Sequence, residues 1–293
     1  MIKSPLNYIG GKTKLLKQIL PLFPSKINKF IDLFAGGCNV GVNVNADKVY
    51  FNDNLTYLIE MYQYFQEFDT SELISRVEDR IKNYQLTKIN VEGYNNLRKD
   101  YNTVRNPLDL FVLIAYSFNH QIRFNNKHEF NVPLGKSRSS FNDKMKINLF
   151  HFVQRLKDID AVFSNIDFNV YNFDNLSSND FVYCDPPYLI TTGSYNDGKR
   201  GFKGWTEKEE IELLSKLDML NKNKIPFALS NVIEHKGRKN EILIKWLFEN
   251  SDTLIQNTLN MNYKNSNYQT NKESSVEVLI TNYKPPIKQL NLL

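Results

Sequence analysis

The sequence predicts an α/β fold whose doubly wound, mixed and mostly parallel sheet is interrupted by an inserted, mostly helical segment. Short apolar runs that end in glycine or acidic residues alternate with stretches of helical period near both ends of the chain. Residues 56–117 keep the helical period alone, and residues 118–142 are basic, aromatic and irregular. We therefore predict one sheet domain formed by residues 1–55 and 143–293, and a second domain formed by residues 56–142.

Composition narrows the class of protein. Of the 293 residues, 41% are hydrophobic, with 16 Tyr and 20 Phe, which favours a folded chain. No apolar run reaches the roughly 20 residues that a spanning helix needs, and the N-terminus lacks the apolar core of a signal peptide. Neither Cys38 with Cys184 nor the four histidines show metal-ligand spacing. We expect a cytoplasmic protein with no metal and no membrane partner.

The first half of the chain begins with predicted strands and continues with helices. The runs "KFIDLFAGG" and "KVYFNDN" end in glycines or an acid and suggest βα units. Leu55, Leu58, Ile59, Tyr62 and Phe65 keep helical spacing. Further helix starts are indicated by the capping-box pair Asp69 and Glu72 and by Asn106-Pro107. Helices are therefore expected from about residue 56 to 117.

The α/β pattern resumes after residue 142. A helix is expected to start at Asn142 or Asp143, another at the capping-box pair Thr206 and Glu209, and a third around residues 240–249. The predicted strands are "IDFNVYNF", "DFVYC", "IPFALSN" and "SVEVLITNY". The Asn-rich stretch "LNMNYKNSNYQTNK" is expected to be a mobile loop.

Positive charge is concentrated in one window. The net charge is +5, and residues 118–146 hold six basic and two acidic residues, nearly the whole surplus. Such a patch suits a polyanionic partner. A solvated loop whose counter-charges lie elsewhere in the fold is an equally acceptable interpretation on charge alone.

Two glycine-rich segments suggest a nucleoside cofactor that has no pyrophosphate. In "FIDLFAGGCNVG" a strand leads into an acid and glycines, which allow a tight turn and a close approach to a ligand. Asp53 ends the next strand and can accept hydrogen bonds from ribose hydroxyls, while Asp32 is placed to meet a cationic or amino group. "YIGGKTKLL" adds a second glycine pair beginning at Gly10. Ordinary βα turns also have this composition, so the pattern alone does not decide.

"DFVYCDPPYL" places Asp185 at the carboxyl end of a buried strand, where open α/β sheets bind ligands. Pro186 and Pro187 stiffen the backbone, so Asp185 and the Pro186 carbonyl can both accept hydrogens of an exocyclic NH2 group. Tyr188 can stack on a planar base. Two acceptors would favour a tetrahedral nitrogen and direct its lone pair at an electrophile. Pro-Pro also occurs in ordinary loops, but the position of this segment after both glycine motifs favours a catalytic site over a simple turn.

The segments "YIGGKTKLL", "DLFAGGCNVG", "FNDN", "FNVPLGK", "CDPPY" and "VEVLITNY" occur in the order seen in Dam-like, class α (D12-type) DNA N6-adenine methyltransferases. The chain resembles this family over nearly its whole length. The resemblance implies a Rossmann-like methyltransferase domain, S-adenosylmethionine as the methyl donor and double-stranded DNA as the partner. It also makes residues 56–142 a target-recognition domain.

Carried over by position, the resemblance implies a set of site residues. The target base would be held by Asp185, Pro186, Pro187 and Tyr188. The cofactor would be bound by Tyr8, Gly10, Lys12, Asp32, Phe34, Ala35, Gly36, Asp53, Asn172, Phe173 and Asp185. Asn172-Phe173 stands where many members have Asp-Phe beside the cofactor adenine. Its amide oxygen can still accept a hydrogen bond there, so binding is expected to survive.

The segment "SFNHQIRFNNKHEFNVPLGKSRSSF" is similar to the DNA-contacting hairpin of the family. The implied DNA contacts are Phe118, Asn119, Arg123, Asn125, Pro133, Lys136 and Arg138. Arg123 would read a guanine edge, and Lys136 and Arg138 would contact phosphates. An Arg at that position suggests a recognition site containing GA. The polar loop from Ile190 to Gly204 is expected to close over a base taken out of the stack.

The expected activity is therefore site-specific methylation of adenine N6 in duplex DNA, in a restriction–modification or phage setting. A cognate restriction endonuclease would act separately. The alternatives are N4-cytosine methylation, which also uses an exocyclic amine, a non-catalytic DNA-binding relative, and a small-molecule or RNA methyltransferase. C5-cytosine chemistry is disfavoured because neither cysteine lies in a Pro-Cys pair.

Overall fold

The fold is described from a computed structural model in residues 1–8, 10–191, 204–260 and 275–286. Within these residues eight strands form one sheet. They are β1 (Lys29–Asp32), β2 (Lys48–Asn52), β3 (Ala161–Ser164), β4 (Phe181–Cys184), β5 (Phe227–His235), β6 (Arg238–Lys239), β7 (Ile255–Leu259) and β8 (Ser275–Thr281). The predicted loops at residues 190–204 and 259–272 fall largely outside the described residues.

The strand order β3-β2-β1-β4-β5-β8-β7 confirms the mixed, doubly wound sheet. The neighbours from β3 to β5 run parallel, whereas β8 runs antiparallel to both β5 and β7. The short β6 pairs with the end of β5. Because β8 is reversed, its first residues lie at the edge of the sheet where the parallel strands end.

The helices account for most of the remaining regular structure in the described residues. They are α1 (Leu16–Ile19), α2 (Thr56–Glu67), α3 (Thr70–Asn83), α4 (Val91–Val104), α5 (Pro107–Tyr116), α6 (Asp143–Asp158), α7 (Glu207–Lys222) and α8 (Glu241–Glu249). The expected run of helices between residues 56 and 117 is confirmed. None of the helices in the described part of the chain is both long and apolar enough to cross a membrane.

Most predicted helix starts are formed as the sequence indicates. The Asn106 side chain accepts from the Leu108 N–H at the start of α5, and Asn142 accepts from the Met145 N–H at the start of α6. The capping box of α7 is present, with Glu209 accepting from the Thr206 N–H at 2.9 Å.

The expected capping box at the start of α3 is not formed, although the helix itself is present. Asp69 makes no capping hydrogen bond with its side chain. Instead its Oδ1 accepts from Lys157 Nζ at 2.7 Å, which joins the start of α3 to the end of α6. The cation of the neighbouring helix therefore takes the place of the backbone N–H.

Two further expectations are wrong. "IDFNVYNF" is a turn, and the strand lies one segment earlier, at β3. The Asn52 carboxamide holds the start of that turn through both the carbonyl and the N–H of Ile166, at 2.8 and 3.0 Å. No α-helix joins β1 to β2, where a 3-10 turn at Gly41–Asn43 packs on the Phe51 ring instead. A Cβ on Gly41 would lie 2.3 Å from that ring, so only glycine fits.

The core covers both faces of the sheet. Consecutive residues of β1 point to opposite faces of the sheet, since Phe30 belongs to one buried cluster and Ile31 to the other. The cluster around Ile31 includes α7 and α8. The cluster around Phe30 continues without interruption into α2 to α6. The helices of the inserted segment thus pack directly on the sheet, and its independence as a domain stays a prediction.

Candidate active site

The carboxyl ends of β1, β2 and β4 meet at one edge of the sheet and border a cavity of about 350 Å³. Its walls include the glycine turn after β1, Asp53 after β2 and the Asp-Pro-Pro-Tyr segment after β4. The N-terminal "YIGGK" segment contributes Tyr8, Gly10, Gly11 and Lys12. Motifs from both halves of the chain, residues 8–12 and 185–188 among them, therefore share one cavity, as open α/β sheets arrange their ligand sites.

Asp53 holds the glycine turn in place. Its Oδ2 accepts from the Gly36 N–H at 2.8 Å, and its Oδ1 accepts from the Leu55 N–H at 2.9 Å. The Tyr62 hydroxyl donates to the Gly36 carbonyl at 2.9 Å. Gly36 has a φ of +46°, and a Cβ there would lie 2.7 Å from the Tyr8 ring. The turn thus needs glycine both for its backbone conformation and for its contact with Tyr8.

Two carboxylic acids are buried beneath this turn. Burial raises the pKa of Asp32 to about 8, although the Gly41 N–H, which donates to its Oδ2, works in the opposite direction. Burial also raises the pKa of Asp53, against the two N–H donors of Leu55 and Gly36. A cationic ligand in the cavity would favour the ionised form of Asp32.

At the other side of the cavity, two carboxylates share the same two donors. Lys12 Nζ lies 2.8 Å from Asp185 Oδ1 and 3.6 Å from Glu277 Oε1. The Tyr188 hydroxyl lies 3.1 Å from Asp185 Oδ1 and 3.0 Å from Glu277 Oε1. Lys12 Nζ also lies 4.9 Å from the centre of the Tyr188 ring. We refer to Lys12, Asp185, Tyr188 and Glu277 as the carboxylate pair site.

Burial and the Lys12 ammonium group act in opposite directions on the two carboxyl groups. Burial raises the pKa of Asp185, and the Lys12 ammonium group lowers it. Burial likewise raises the pKa of Glu277, again opposed by Lys12. The pKa of Tyr188 is raised well above its usual value by burial and by the Asp185 charge, so its phenol stays protonated and donates.

Three aromatic rings form a further wall. Phe34, Phe168 and Trp205 pack with ring centres 5.3 to 5.6 Å apart. The Trp205 indole N–H donates to Glu210 Oε2 at 2.8 Å. Glu210 is fully buried, and its other oxygen accepts from the amides of Asn231 and Asn240. The ring of Trp205 is therefore held in one orientation at the cavity.

The structure corrects the expectation for Asn172 and Phe173. Neither residue lies on the cavity, which Asp167 and Phe168 border instead. The Asn172 side chain accepts from the Asp174 N–H at 2.7 Å, and Phe173 is buried beside Tyr171. The signal was present, because Asp167-Phe168 is itself an Asp-Phe pair within "IDFNVYNF". The assignment carried over from the family resemblance placed the pair five residues too late in the sequence.

Sequence reasoning also missed residues that the fold brings to the site. Trp205 follows a long polar stretch and gave no pattern of its own. Glu277 gave a signal that was not used, since it is the one acidic residue in the otherwise apolar run "SVEVLIT". Glu277 is only 5% exposed. Acidic side chains are almost never buried to this degree without a partner, so its position indicates a specific role.

The expected cofactor residues Tyr8, Gly10, Lys12, Asp32, Phe34, Ala35, Gly36 and Asp53 all border the cavity, as do Asp185, Pro186, Pro187 and Tyr188. Among the described residues, no group of three or more His, Cys, Asp or Glu side chains is arranged to hold a metal ion.

The hairpin segment places Arg123 at the edge of the cavity. Arg123 Nε donates to Asn131 Oδ1 at 2.8 Å, and its Nη2 donates to the Asn131 carbonyl at 3.1 Å. Asn125 accepts from the N–H groups of Lys127 and Glu129 and so shapes the tip of the hairpin. The other five expected DNA contacts are all exposed, namely Phe118, Asn119, Pro133, Lys136 and Arg138. Asn119 is exposed beside Phe118, in a left-handed conformation with φ of +53°.

The sheet order, the glycine turn and the Asp-Pro-Pro-Tyr corner around one cavity are together those of a methyltransferase that acts on an exocyclic amino group. Residues 8–264 match the model of the D12 class N6 adenine-specific DNA methyltransferase family. The chain belongs to this family.

Curated relatives are similar to the chain throughout its length. Identity is 53% over 292 residues with modification methylase StsI of Streptococcus sanguinis, covering 100% of this chain and 44% of that protein. It is 51% over 282 residues with type II methyltransferase M.FokI of Planomicrobium okeanokoites, covering 96% and 43%. It is 39% over 250 residues with modification methylase LlaI of Lactococcus lactis subsp. lactis, covering 84% and 39%. The chain thus spans less than half the length of these relatives.

Proposed function

We propose that this chain transfers the methyl group of S-adenosylmethionine to N6 of an adenine in duplex DNA, after the adenine has left the base stack. The observation that carries the proposal is the single cavity that joins the glycine turn and Asp53 to the Asp185–Tyr188 corner. A cofactor on one side and a base on the other would meet within it. Family membership and the modification methylases among the relatives support the same reaction.

The residues present fit S-adenosylmethionine. Each oxygen of Asp53 accepts one backbone N–H and can accept a further hydrogen bond, so Asp53 is placed to bond the ribose hydroxyls. Buried Asp32 suits the amino group of the methionine part, and the close turn at Gly36 leaves room for its chain. Asp167 and Phe168 take the adenine-side role that the sequence assigned to Asn172 and Phe173. When bound, the cofactor supplies a sulfonium methyl group and retains the electrons of the broken S–C bond as a thioether.

The chain's own residues act on the target amine. Asp185 and the Pro186 carbonyl accept hydrogen bonds from the two N–H groups of this amine. These bonds turn the nitrogen lone pair toward the methyl carbon. The lone pair forms the new C–N bond, and the nitrogen becomes positively charged. The carboxylate of Asp185 stabilises that charge and accepts the proton that restores a neutral amine. The wall of Phe34, Phe168 and Trp205 limits access of water to the cofactor side.

The hairpin supplies the DNA contacts in this proposal. Arg123 is held by Asn131 through Nε and Nη2, which fixes the guanidinium plane and leaves its other N–H groups for a base edge. Lys136 and Arg138 are exposed and suit phosphate contacts. The surplus of positive charge in residues 118–146 supports a polyanionic partner.

The direct test incubates the purified chain with tritiated S-adenosylmethionine and duplex DNA and identifies the labelled base. N6-methyladenine is expected, whereas label found only in N4-methylcytosine would support the sister chemistry. Asp185→Ala serves as the control for a non-catalytic DNA-binding relative, because it should abolish transfer. Parallel reactions with RNA and free adenosine separate the remaining alternatives.

We also propose a biological setting. The modification methylases among the relatives suggest that this chain marks DNA within a restriction–modification system. A cognate endonuclease would then cut the unmethylated form of the same site. DNA from cells that express the chain should resist an endonuclease of matching specificity, and single-molecule sequencing of that DNA would give the methylated motif.

A further inference from the structure

The carboxylate pair site brings two buried carboxyl groups to one lysine. Lys12 is 5% exposed in its side chain, Glu277 7% and Asp185 18%. With all three ionised, two carboxylates face one ammonium group. Buried carboxylates in excess are costly unless they serve a purpose. The transfer reaction proposed above needs one acceptor, Asp185, and leaves Glu277 without a role.

Glu277 reaches this site because of the reversed strand. It lies opposite Val232 of β5 and Leu259 of β7, near the start of β8. The start of β8 is at the edge of the sheet where β4 ends, just before Asp185. The parallel strands end at this edge of the sheet and continue as loops. Glu277 instead lies within β8, where pairing with both neighbouring strands fixes its position.

The same two donors face both carboxylates. Asp185 Oδ1 receives Lys12 Nζ at 2.8 Å, and the Tyr188 hydroxyl lies at 3.1 Å. Glu277 Oε1 is 3.0 Å from that hydroxyl and 3.6 Å from Lys12 Nζ. Tyr188 has one hydroxyl hydrogen and therefore donates to one carboxylate at a time. Lys12 Nζ also donates to the Gly10 carbonyl at 3.1 Å, and its three hydrogens allow it to bond either carboxylate.

An Asp185 that is paired with Lys12 is a weaker acceptor for a substrate amine, because its charge is neutralised and its Oδ1 already receives the Lys12 and Tyr188 donors. We infer that Glu277 is a positioning residue that takes over Lys12 and the Tyr188 hydroxyl when the target base enters. Asp185 is then free to accept the amine hydrogens. The inference rests on the proposed methyl transfer and adds a role within it.

The exchange also sets the charge of the site during the reaction. Lys12 with Glu277 forms one neutral pair, which leaves Asp185 with a full negative charge beside the nitrogen that becomes positive. Without Glu277, Lys12 would remain on Asp185, and the new positive charge would face a neutral pair. A charge preorganised in a buried site stabilises a transition state strongly, since little reorganisation is required.

Glu277→Gln tests this role because it keeps the shape and an acceptor for Tyr188 but removes the charge. We expect kcat to fall by about a hundredfold, the effect of losing one preorganised electrostatic group. The KM for DNA and the Kd for cofactor should change less than threefold. Glu277→Asp should recover part of kcat. The matched control is Glu249→Gln on the exposed surface of α8, which should leave kcat unchanged.

The double variant Lys12→Met with Glu277→Gln gives the decisive comparison at saturating cofactor. It frees Asp185 by removing the cation that holds it, so its kcat should exceed that of Glu277→Gln alone. A kcat of Glu277→Gln within threefold of the wild type would overturn the inference. The inference would also be overturned if the fold-loss of kcat in the double variant equalled the product of the fold-losses in the two single variants.

Thermal unfolding of the ligand-free proteins supplies a measurement that does not depend on activity. Glu277→Gln should keep or raise the Tm, because it leaves Lys12 and Asp185 as a balanced pair. Lys12→Met should lower it, and the double variant should recover part of the loss. A large drop in Tm for Glu277→Gln would indicate a structural role and contradict the inference. A wild-type chain that methylates no DNA would refute the proposed function, and the Tm series would still decide whether the two carboxylates compete for Lys12.

Discussion

Replacing Gly36 by alanine tests whether the contact of the glycine turn with Tyr8 shapes the cofactor side of the cavity. Gly36 has a φ of +46°, where an L-residue costs about 1–2 kcal/mol. Its new Cβ would lie 2.7 Å from a ring carbon of Tyr8, so the ring has to move by about 0.7 Å to reach an ordinary contact of 3.4 Å. The substitution therefore changes both the stability and the cavity wall.

The glycines of this chain provide matched controls. Gly237, between β5 and β6, has a φ of +76° and no atom within 4 Å of its Cβ position, so Gly237→Ala adds backbone strain alone. Gly10→Ala does the same beside the cavity, with a φ of +79°. All three variants should lose about 1–2 kcal/mol, or about 2–8 °C in Tm at about 2–4 °C per kcal/mol.

Isothermal titration with S-adenosylmethionine separates the two effects. Gly36→Ala should raise the Kd about tenfold, which corresponds to about 1.4 kcal/mol, because Tyr8 is displaced from the wall. Gly237→Ala should leave the Kd unchanged. Equal Kd values for these two variants would refute the argument that Gly36 is required by its contact with Tyr8.

Three further outcomes follow from the site. The Tm of the ligand-free chain should fall as pH rises from about 4 to about 8, because the raised pKa of Asp32 lets the folded state hold a proton that the unfolded state has released, and Asp32→Asn should flatten this slope. Addition of S-adenosylmethionine should change the fluorescence of Trp205, and a Trp246→Phe background, which leaves Trp205 as the sole tryptophan, should keep that change. Asn131→Ala should weaken binding to a cognate duplex by about tenfold while leaving the cofactor Kd unchanged, because Arg123 loses its Oδ1 partner; an equal loss on unrelated duplex DNA would contradict a base-reading role.

Much of the fold followed from local patterns. The strand that leads to Asp185 and the helix starts at Asn106, Asn142 and Thr206 depend on residues that are close together in the chain, and all of them were confirmed. Where a distant partner competes, local patterns mislead. Lys157 takes the carboxylate that would have capped α3, and no local pattern indicates that α6 ends beside it.

The candidate site divides in the same way. Motifs with several residues in a row, such as the glycine turn and the Asp-Pro-Pro-Tyr segment, were placed at the cavity as expected. Trp205 and Glu277, which stand outside these motifs, were not found. Glu277 becomes part of the site only because β8 is inserted in reverse between β5 and β7, and the sequence does not state that order. The Asn172-Phe173 assignment was carried over by position from the family resemblance, and it missed the Asp167-Phe168 pair that borders the cavity.

The hairpin of residues 117–139 has a consequence for attempts to change target specificity by exchanging segments between relatives. Ile122, Arg123 and Phe124 border the same cavity as Asp53 and Asp185. A transplanted hairpin would therefore also replace part of the cavity that we propose as the site of methyl transfer. Exchanges that keep these three residues and alter only the tip at residues 125–129 should preserve turnover. Exchange of the whole hairpin should change both the target specificity and the catalytic rate.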